Sequence, residues 1–222
     1  MGTLYLVRHG QASLGADDYD LLSPLGERQS VRLGEYFKAR GVVFEAALTG
    51  TLRRHVQTFA GIRAGLDAPL QASAWPGLNE YDSAALIEAI RPGQPDKPDT
   101  PERYRQHFRL LKDALAQWMA GAISPRGMPS YGDFSAGIAQ ALAHVRSQHE
   151  GAVLLVSSGG PIATAVGHVL GTSPDTTIAL NLRIRNSAVT EFEFNRKRHL
   201  LLTYNTLAHL DAPEYADWVS YA

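Results

Sequence analysis

Three short polar segments of the sequence carry side chains that together could bind an anion and attack it. They are Arg8-His9-Gly10-Gln11, residues 49–54 and Ser157-Ser158-Gly159-Gly160. Two cations beside a histidine lower its pKa and keep the imidazole neutral, which makes it a nucleophile. Arginine forks also match the geometry of a phosphoryl group better than lysine does. His9 is therefore our candidate nucleophile toward a phosphoryl group, with neighbouring arginines as its clamp.

The strands predicted around these segments bring them to one edge of a sheet. Apolar runs at residues 3–7, 45–49 and 152–157 predict buried strands, and each leads into one of the polar segments. Two later strands, at residues 188–194 and 199–204, alternate polar and apolar side chains and are predicted to pair at the sheet edge. In open α/β sheets, ligands bind beyond the C-terminal ends of the strands, so we expect the polar segments to converge there.

Helices are predicted between these strands. Ser23 is a candidate N-cap with Pro24 at the first helical position, and this helix is expected to end before Gly41. Residues 52–64 have a second helical pattern, and Gly159-Gly160 opens a third helix, whose first N–H groups could donate to an anion. Strands and helices that alternate in this way are typical of α/β proteins with parallel strands.

The middle of the chain departs from the alternation. Four prolines exclude regular structure over residues 91–101, namely Pro92, Pro95, Pro98 and Pro101. A helix with one apolar face follows, then a loop at residues 124–132 and a further helix from about Phe134. We predict a single domain over residues 1–222, in which residues 82–132 form a helical insertion that covers the active site.

Composition excludes several classes of protein. The chain has no cysteine, which removes disulfides, thiolate catalysis and cysteine metal sites, and its formal net charge of -1 does not favour nucleic acid or an anionic membrane as a partner. No apolar run approaches a membrane span, and no signal peptide is indicated. Histidines outside the polar segments do not share a helical face at ligand spacing, so no metal site is predicted. We expect a cytoplasmic protein.

These segments resemble the signature of the histidine phosphatase superfamily, which includes the phosphoglycerate mutases and many phosphomonoesterases. Leu6-Val7-Arg8-His9-Gly10 is similar to its first motif, and four further segments match in order: residues 22–29, residues 52–58, Leu78-Asn79-Glu80 and Val156-Ser157-Ser158-Gly159-Gly160. The resemblance implies a phosphoglycerate mutase-like fold, α/β, a three-layer sandwich with a mostly parallel sheet flanked by helices.

The resemblance also implies roles for individual residues. His9 would attack phosphorus and become phosphohistidine, Arg8 and Arg54 would clamp the phosphoryl oxygens, and Glu80 would protonate the leaving oxygen and then activate water. Phosphate binding is implied for Arg8, Gly10, Gln11, Arg54, Ser158 and Gly159. No cofactor and no metal is implied. The expected activity is metal-independent hydrolysis of a phosphomonoester, with a small phosphorylated substrate or inorganic phosphate as partner.

Three positions leave alternatives open. The family carries a histidine where this chain has Ser158, and a neutral hydroxyl there predicts a rate loss of roughly 10- to 30-fold. Ser158 also suits a helix N-cap. His55 stands where the family has a small residue, and its imidazole is a candidate to turn inward and compensate. Arg53 competes with Arg54, because adjacent helical residues point about 100° apart; Asp82 competes with Glu80.

Two other functions remain open from the sequence. Phosphoglycerate mutase-type transfer would need extra cations for a substrate carboxylate, and the insertion offers Arg91, Lys97, Arg103, Arg105, Arg109, Lys112 and Arg126. The serine at position 158 prompts the second, a weakly active or inactive scaffold that binds phosphate esters. The physiological substrate is not predicted, and the oligomeric state is expected to be a monomer or a homodimer.

Overall fold

Six strands form one sheet at the centre of the structure, a computed structural model that describes residues 1–13, 20–93 and 100–221. They are β1 (Gly2–Arg8), β2 (Phe44–Thr49), β3 (Ala72–Ala74), β4 (Ala152–Ser157), β5 (Val189–Phe194) and β6 (His199–Thr206). Their order across the sheet is β3-β2-β4-β1-β5-β6. Neighbours among β3, β2, β4 and β1 are parallel, whereas β5 runs antiparallel to both β1 and β6. The predicted mostly parallel sheet is confirmed.

The register of the central strands aligns the ends that carry the polar segments. Arg8 at the end of β1 is level with Ser157 at the end of β4, and Thr49 at the end of β2 is level with Val156. Because these three strands are parallel, the residues that follow them leave the sheet at the same edge. The sheet therefore brings the three polar segments together.

Helices cover both faces of this sheet. The α-helices are α1 (Pro24–Ala39), α2 (Arg53–Leu66), α3 (Ser83–Ile90), α4 (Pro101–Met119), α5 (Tyr131–Gln148), α6 (Gly159–Leu170) and α7 (Pro174–Asn181). Short 3-10 helices occupy Pro76–Leu78, Ala208–Leu210 and Pro213–Trp218. The first helix begins as predicted, with the Ser23 hydroxyl accepting the N–H of Gly26 at 3.1 Å and proline at the first helical position. Among the described residues, no helix combines the length and the hydropathy needed to cross a membrane.

Two apolar clusters show that the architecture is layered. In β4, Leu154 and Val156 belong to the cluster that includes Leu33 of α1 and Ile62 of α2. The alternate residues of β4 face the other cluster, together with residues of α5 and α6. Successive side chains of a strand point to opposite faces, so the sheet lies between two helical layers. The predicted three-layer sandwich is confirmed.

Several details differ from the sequence-based expectations. The strand β3 and the helices α3 and α7 were not predicted, and β5 lies inside the sheet rather than at its edge because it also pairs with β1. The loop predicted up to residue 132 ends earlier, since α5 begins at Tyr131. Pro95, Pro98 and Lys97 lie outside the described residues. Residues 82–132 contain the whole of α3 and of α4. That they cover the active site stays a prediction.

Candidate active site

His9 is fixed at the end of β1 by backbone hydrogen bonds on two sides. Its N–H donates to the carbonyl of Ser157 at 2.9 Å, and its own carbonyl accepts the N–H of Ser187 at 3.1 Å. Ser187 has a φ of 56°, in the left-handed region that serine seldom occupies. The turn that precedes β5 therefore points an amide at the carbonyl of His9. Neighbouring segments on both sides of β1 hold the backbone of His9 in place.

The imidazole of His9 is oriented by its own neighbour. His9 is only 3% exposed, and its Nδ1 lies 2.7 Å from the carbonyl oxygen of Gly10. A carbonyl oxygen only accepts hydrogen bonds, so Nδ1 must carry the proton. In the neutral ring the lone pair is then on Nε2. The nitrogen that is free to attack is thus assigned by this hydrogen bond.

The environment of His9 keeps the ring neutral. Its pKa is well below the ordinary value, first because burial disfavours the charged form and then because Arg8 and Arg54 repel a second positive charge nearby. The hydrogen bond to Gly10 opposes this shift but is the weaker influence. At neutral pH the imidazole is therefore uncharged, as a nucleophile must be.

Both predicted clamp arginines are buried at this edge of the sheet. Nη1 of Arg8 donates to the carbonyl of Ile184, and Nη1 of Arg54 lies 2.7 Å from Oδ1 of Asp20. The other carboxylate oxygen of Asp20 accepts the N–H of Arg53 at 2.8 Å, so one carboxylate supports both the first turn of α2 and the guanidinium of Arg54. The side chain of Arg53 is exposed. Of the two adjacent arginines, Arg54 is the one directed inward.

Gly10 and Gln11 are tied into the protein in this structure. The N–H of Gly10 donates to the Thr58 hydroxyl at 3.0 Å, and a Cβ at position 10 would overlap the backbone of Gly26. Gly10 thus allows the loop after β1 to rest on the start of α1. The side-chain oxygen of Gln11 accepts the Ser23 hydroxyl at 2.8 Å, which aims the amide nitrogen away from Ser23. That nitrogen remains a candidate donor to phosphate.

Glu80 lies opposite α6, and its carboxylate is held by two backbone amides. Oε2 accepts the N–H of Gly160 at 3.1 Å, and Oε1 accepts that of Tyr81 at 3.2 Å. Burial nevertheless raises the pKa of Glu80, although these amides and the arginines Arg8 and Arg54 favour the charged form. A raised pKa suits a carboxyl group that donates a proton.

Asp82, the alternative carboxylate, has a structural position. Its Oδ1 accepts the N–H groups of Ala84 and Ala85 at 2.9 and 3.0 Å, which makes it the N-cap of α3. The pKa of Glu80 is influenced by Arg8 and Arg54, so its carboxyl group lies within electrostatic reach of both arginines. The geometry therefore favours Glu80 as the acid of the site.

The glycines at the start of α6 have tight surroundings. We predicted that both would donate N–H groups to an anion, but the N–H of Gly160 donates to Glu80 in this structure. A Cβ at position 160 would overlap Oε1 of Glu80, and one at position 159 would lie 2.7 Å from Oδ1 of Asn181. Both glycines therefore permit the close approach of polar side chains to the beginning of α6.

Ser158 pairs with His55, whose ring does turn into the protein. Ser158 occupies the N-cap position of α6, but its side chain makes no capping hydrogen bond. Instead its Oγ lies 2.6 Å from Nε2 of His55, and both residues are fully buried. The rings of His55 and His9 are 5.8 Å apart between centroids. The structure thus places an imidazole from α2 near His9, an arrangement for which the sequence had made His55 a candidate.

Two supporting residues were missed by the sequence analysis. Thr58 receives the N–H of Gly10, and Gln29, fully buried on α1, accepts the N–H of Gln11 at 2.8 Å with its side-chain oxygen. The amide nitrogen of Gln29 donates to the carbonyl of Trp218 at 2.6 Å, which links the loop after β1 to a segment near the end of the chain. A polar residue on the buried face of an amphipathic helix is the signal that could have identified Gln29.

The site is cationic rather than acidic. Arg8 and Arg54 influence the pKa of both His9 and Glu80, so both arginines lie within electrostatic reach of the imidazole and of the carboxyl group. In the described parts of the chain, no group of three or more histidine, aspartate or glutamate side chains is arranged to hold a metal ion. Two buried guanidinium groups around a neutral imidazole suit an anionic ligand such as a phosphoryl group.

Comparison with solved structures finds the same fold in several phosphatases. Phosphoserine phosphatase from Entamoeba histolytica, in complex with 3-phosphoglyceric acid, has a TM-score of 0.68 and 22% identity, over 95% of this chain and 100% of that chain. The α-ribazole phosphatase from Shigella flexneri has a TM-score of 0.66 and 21% identity, over 93% and 97%. A mycobacterial glucosyl-3-phosphoglycerate phosphatase has a TM-score of 0.65 and 22% identity, over 93% and 99%.

The sequence itself gives the family. The profile of the histidine phosphatase superfamily (branch 1) matches residues 4–207. That match begins within β1, ends just after β6 and includes every candidate site residue discussed above. The matched region therefore includes His9 after β1, the inward Arg54 of α2, the carboxyl group of Glu80 and the start of α6. The chain belongs to the histidine phosphatase superfamily.

Proposed function

We propose that this protein hydrolyses phosphomonoesters through a phosphohistidine on His9. The observation that carries the proposal is the hydrogen bond between Nδ1 of His9 and the carbonyl of Gly10, at 2.7 Å. It leaves the lone pair on Nε2, in a ring that burial and two arginines keep uncharged. A buried, neutral and oriented imidazole beside buried guanidinium groups is suited to attack a bound phosphoryl group.

In the first step, Nε2 of His9 forms a bond to phosphorus as the bond between phosphorus and the ester oxygen breaks. Arg8 and Arg54 stabilise the negative charge on the phosphoryl oxygens, which is the main requirement of phosphoryl transfer. Glu80 gives its proton to the departing ester oxygen, which leaves as an alcohol. The raised pKa of Glu80 favours the protonated form that this step needs.

In the second step, water attacks phosphorus and the bond to Nε2 breaks. The Glu80 carboxylate takes a proton from the water, and the electron pair of the broken bond returns to Nε2. Inorganic phosphate is released, and both His9 and Glu80 regain their starting protonation states. Besides the ester and water, these two steps use only side chains of this protein, so we propose a metal-independent reaction.

Hydrolysis is favoured over mutase-type transfer by the position of the extra cations. A mutase would need cations of the insertion to bind a substrate carboxylate. The arginines and the lysine of the insertion that the structure describes are all exposed. None of them is among the charges that shift the pKa of His9 in the part of the chain that the structure describes. The three similar structures are also named as phosphatases. The proposed substrate is accordingly a small phosphomonoester, in a cytoplasmic enzyme.

The test is turnover of a chromogenic aryl phosphate by the wild-type protein and by His9→Ala, with and without chelator. We expect turnover that chelator does not reduce and that His9→Ala abolishes, while His107→Ala on α4 retains it. A rapid quench with a ³²P-labelled ester should trap acid-labile label on the wild type only. ³¹P NMR with 3-phosphoglycerate separates release of phosphate from isomerisation. Binding of phosphate without any turnover would instead indicate a binding scaffold.

A further inference from the structure

His55 bridges two elements that end at the active site. It lies on the first turn of α2, directly after Arg54, and its Nε2 meets the hydroxyl of Ser158 at the start of α6, 2.6 Å away. Both side chains are fully buried. The mechanism proposed above does not use this pair, although it lies beside the nucleophile.

Gly50 decides which nitrogen of His55 carries the proton. A Cβ at position 50 would overlap Nδ1 of His55, so the Cα–H bond of Gly50 points at that nitrogen. Among the described residues, Nδ1 has no hydrogen-bond partner. A lone pair on Nδ1 tolerates a facing C–H group, whereas a buried N–H without an acceptor is costly and would collide with it. The proton of the neutral ring is therefore on Nε2.

This tautomer fixes the direction of the Ser158 hydroxyl. Because Nε2–H of His55 donates to Oγ, the hydroxyl proton of Ser158 must point elsewhere. The amides of α6 do not occupy Oγ as an acceptor either, since Ser158 makes no side-chain capping bond there. The adjacent Ser157, whose carbonyl receives the N–H of His9, directs its own hydroxyl to the carbonyl of Leu78 at 2.6 Å. Ser158 is thus the serine whose hydroxyl remains available next to His9.

We propose that His55 is a positioning residue that orients the Ser158 hydroxyl as a hydrogen-bond donor to the phosphoryl group, with Gly50 selecting the tautomer that makes this possible. The chain Nε2–H to Oγ–H to phosphoryl oxygen strengthens the last donor, because hydrogen bonds in series polarise one another. This inference rests on the proposed function, since it assumes a phosphoryl group bound at His9. The family carries a histidine at the position of Ser158, and in this chain the buried neutral pair of His55 and Ser158 would take its place.

The decisive comparison is between two substitutions of His55. His55→Gln keeps an N–H donor, whereas His55→Leu keeps the volume without a donor. We expect His55→Leu and Ser158→Ala each to lower kcat/KM for an aryl phosphate by about 10- to 100-fold, as for a lost hydrogen bond to a charged group. His55→Gln should recover most of that loss. Because the two residues act in series, the double variant should be no slower than Ser158→Ala alone.

Stability must be measured separately, because His55 is also a core residue. His199→Leu is the matched control, since this half-buried histidine lies at the opposite end of the sheet, where its strand pairs with Phe194. It should leave kcat/KM unchanged, whatever change in Tm the substitution produces. If His55→Leu and Ser158→Ala lower kcat/KM additively, or if His55→Gln is as slow as His55→Leu, His55 contributes only packing and the inference is wrong.

Two further measurements keep the outcomes distinct. ¹⁵N NMR of the wild-type histidines should show a protonated Nε2 on His55, and a protonated Nδ1 would overturn the inference even if the variants fail to fold. If the wild type shows no turnover dependent on His9, the proposed function fails. The Kd of inorganic phosphate, which we expect Ser158→Ala and His55→Leu to raise, then decides whether the pair still orients a donor to the anion.

Discussion

His9 and Glu80 have pKa shifts in opposite directions, and the proposed reaction needs both. The pKa of His9 lies well below its ordinary value and that of Glu80 lies above its own, with burial as the largest cause in each case. The active form carries a neutral imidazole and a protonated carboxyl group. It is therefore most populated between the depressed pKa of His9 and the raised pKa of Glu80. Activity should rise as pH increases through the pKa of His9 and fall as pH increases through the pKa of Glu80.

Glu80→Gln tests the falling limb of this profile. Loss of the acid should lower kcat/KM for an alkyl phosphate by roughly 10²- to 10⁴-fold, since an alkoxide leaves poorly without a proton. A nitrophenyl phosphate should lose much less, because its leaving group needs no proton. The ratio of wild type to variant cancels the ionisation of the substrate, and for the alkyl ester this ratio should decline as pH rises through the pKa of Glu80.

The matched control for Glu80 is Asp82→Asn, which alters the neighbouring carboxylate that caps α3. Asparagine still caps a helix, so the variant should lower stability only by the roughly 0.3–1 kcal/mol of a lost negative charge at a helix N-terminus, and it should leave the pH profile in place. A wild-type to Glu80→Gln ratio that is independent of pH and equal for the two substrates would contradict the assignment of Glu80 as the acid.

The sequence predicts individual residues well where a local motif determines them. Arg8 and His9 follow an apolar run, and the register of β1 with β4 is sufficient to bring them to Ser157. The pairing of His55 with Ser158 could not be predicted, because it depends on a ring orientation that a glycine 5 positions earlier permits. An N-cap position for Ser158 was equally consistent with the sequence, and Ser158 does occupy it, but its side chain makes no capping bond and meets His55 instead.

At the scale of elements, prediction succeeded where hydrophobic periodicity was strong. The bounds of β4 agree with the predicted strand, and α1, α2 and α6 begin within a residue of their expected positions. The missed elements are short: β3 has 3 residues, and α3 and α7 have 8 each. So few residues carry little periodic signal, and these elements depend on tertiary packing for their stability.

Gly160→Ala tests how the start of α6 positions Glu80. The new Cβ would overlap Oε1 of Glu80, so the carboxyl group must move away from the amide that holds it. We expect kcat/KM for an alkyl phosphate to fall by about 10- to 100-fold, because small displacements of a catalytic group are costly. The loss with a nitrophenyl ester should be smaller. Steady-state kinetics of the wild type and the variant with each ester measures the two losses in kcat/KM.

Gly132→Ala provides the control at a helical glycine with space around it. Near the start of α5, a Cβ at position 132 would lie 3.6 Å from the Ser130 hydroxyl, and no other described side chain comes within 4 Å of it beyond its chain neighbours. Alanine there should raise the unfolding free energy by up to about 1 kcal/mol and leave activity unchanged. If Gly160→Ala likewise kept its activity toward the alkyl ester, the position of Glu80 would not depend on the close approach at α6.

At the scale of the whole molecule, the fold buries several imidazoles in neutral form. The pKa of His55 is lowered to about 3, by burial and then by Arg54, and that of His209 to about 3, by burial and then by Arg32. His209 is paired with the Ser187 hydroxyl at 2.9 Å, in the turn that supports the backbone of His9. In the unfolded chain these rings would titrate near pH 6.5. Folding is therefore linked to pH through them.

The sign of this linkage predicts acid sensitivity. Between about pH 6.5 and pH 3 the unfolded state binds protons at His55 and His209 that the folded state does not, so the unfolding free energy decreases as pH falls. Each fully linked histidine contributes a slope of roughly 1.4 kcal/mol per pH unit in this range. Urea denaturation of the wild type and of His209→Gln at pH 7, 6, 5 and 4 isolates the contribution of His209 to this pH dependence. The variant should be less stable than the wild type at pH 7, but its unfolding free energy should decrease less steeply, so the two curves converge in acid. Parallel curves would show that His209 is not held neutral by the fold.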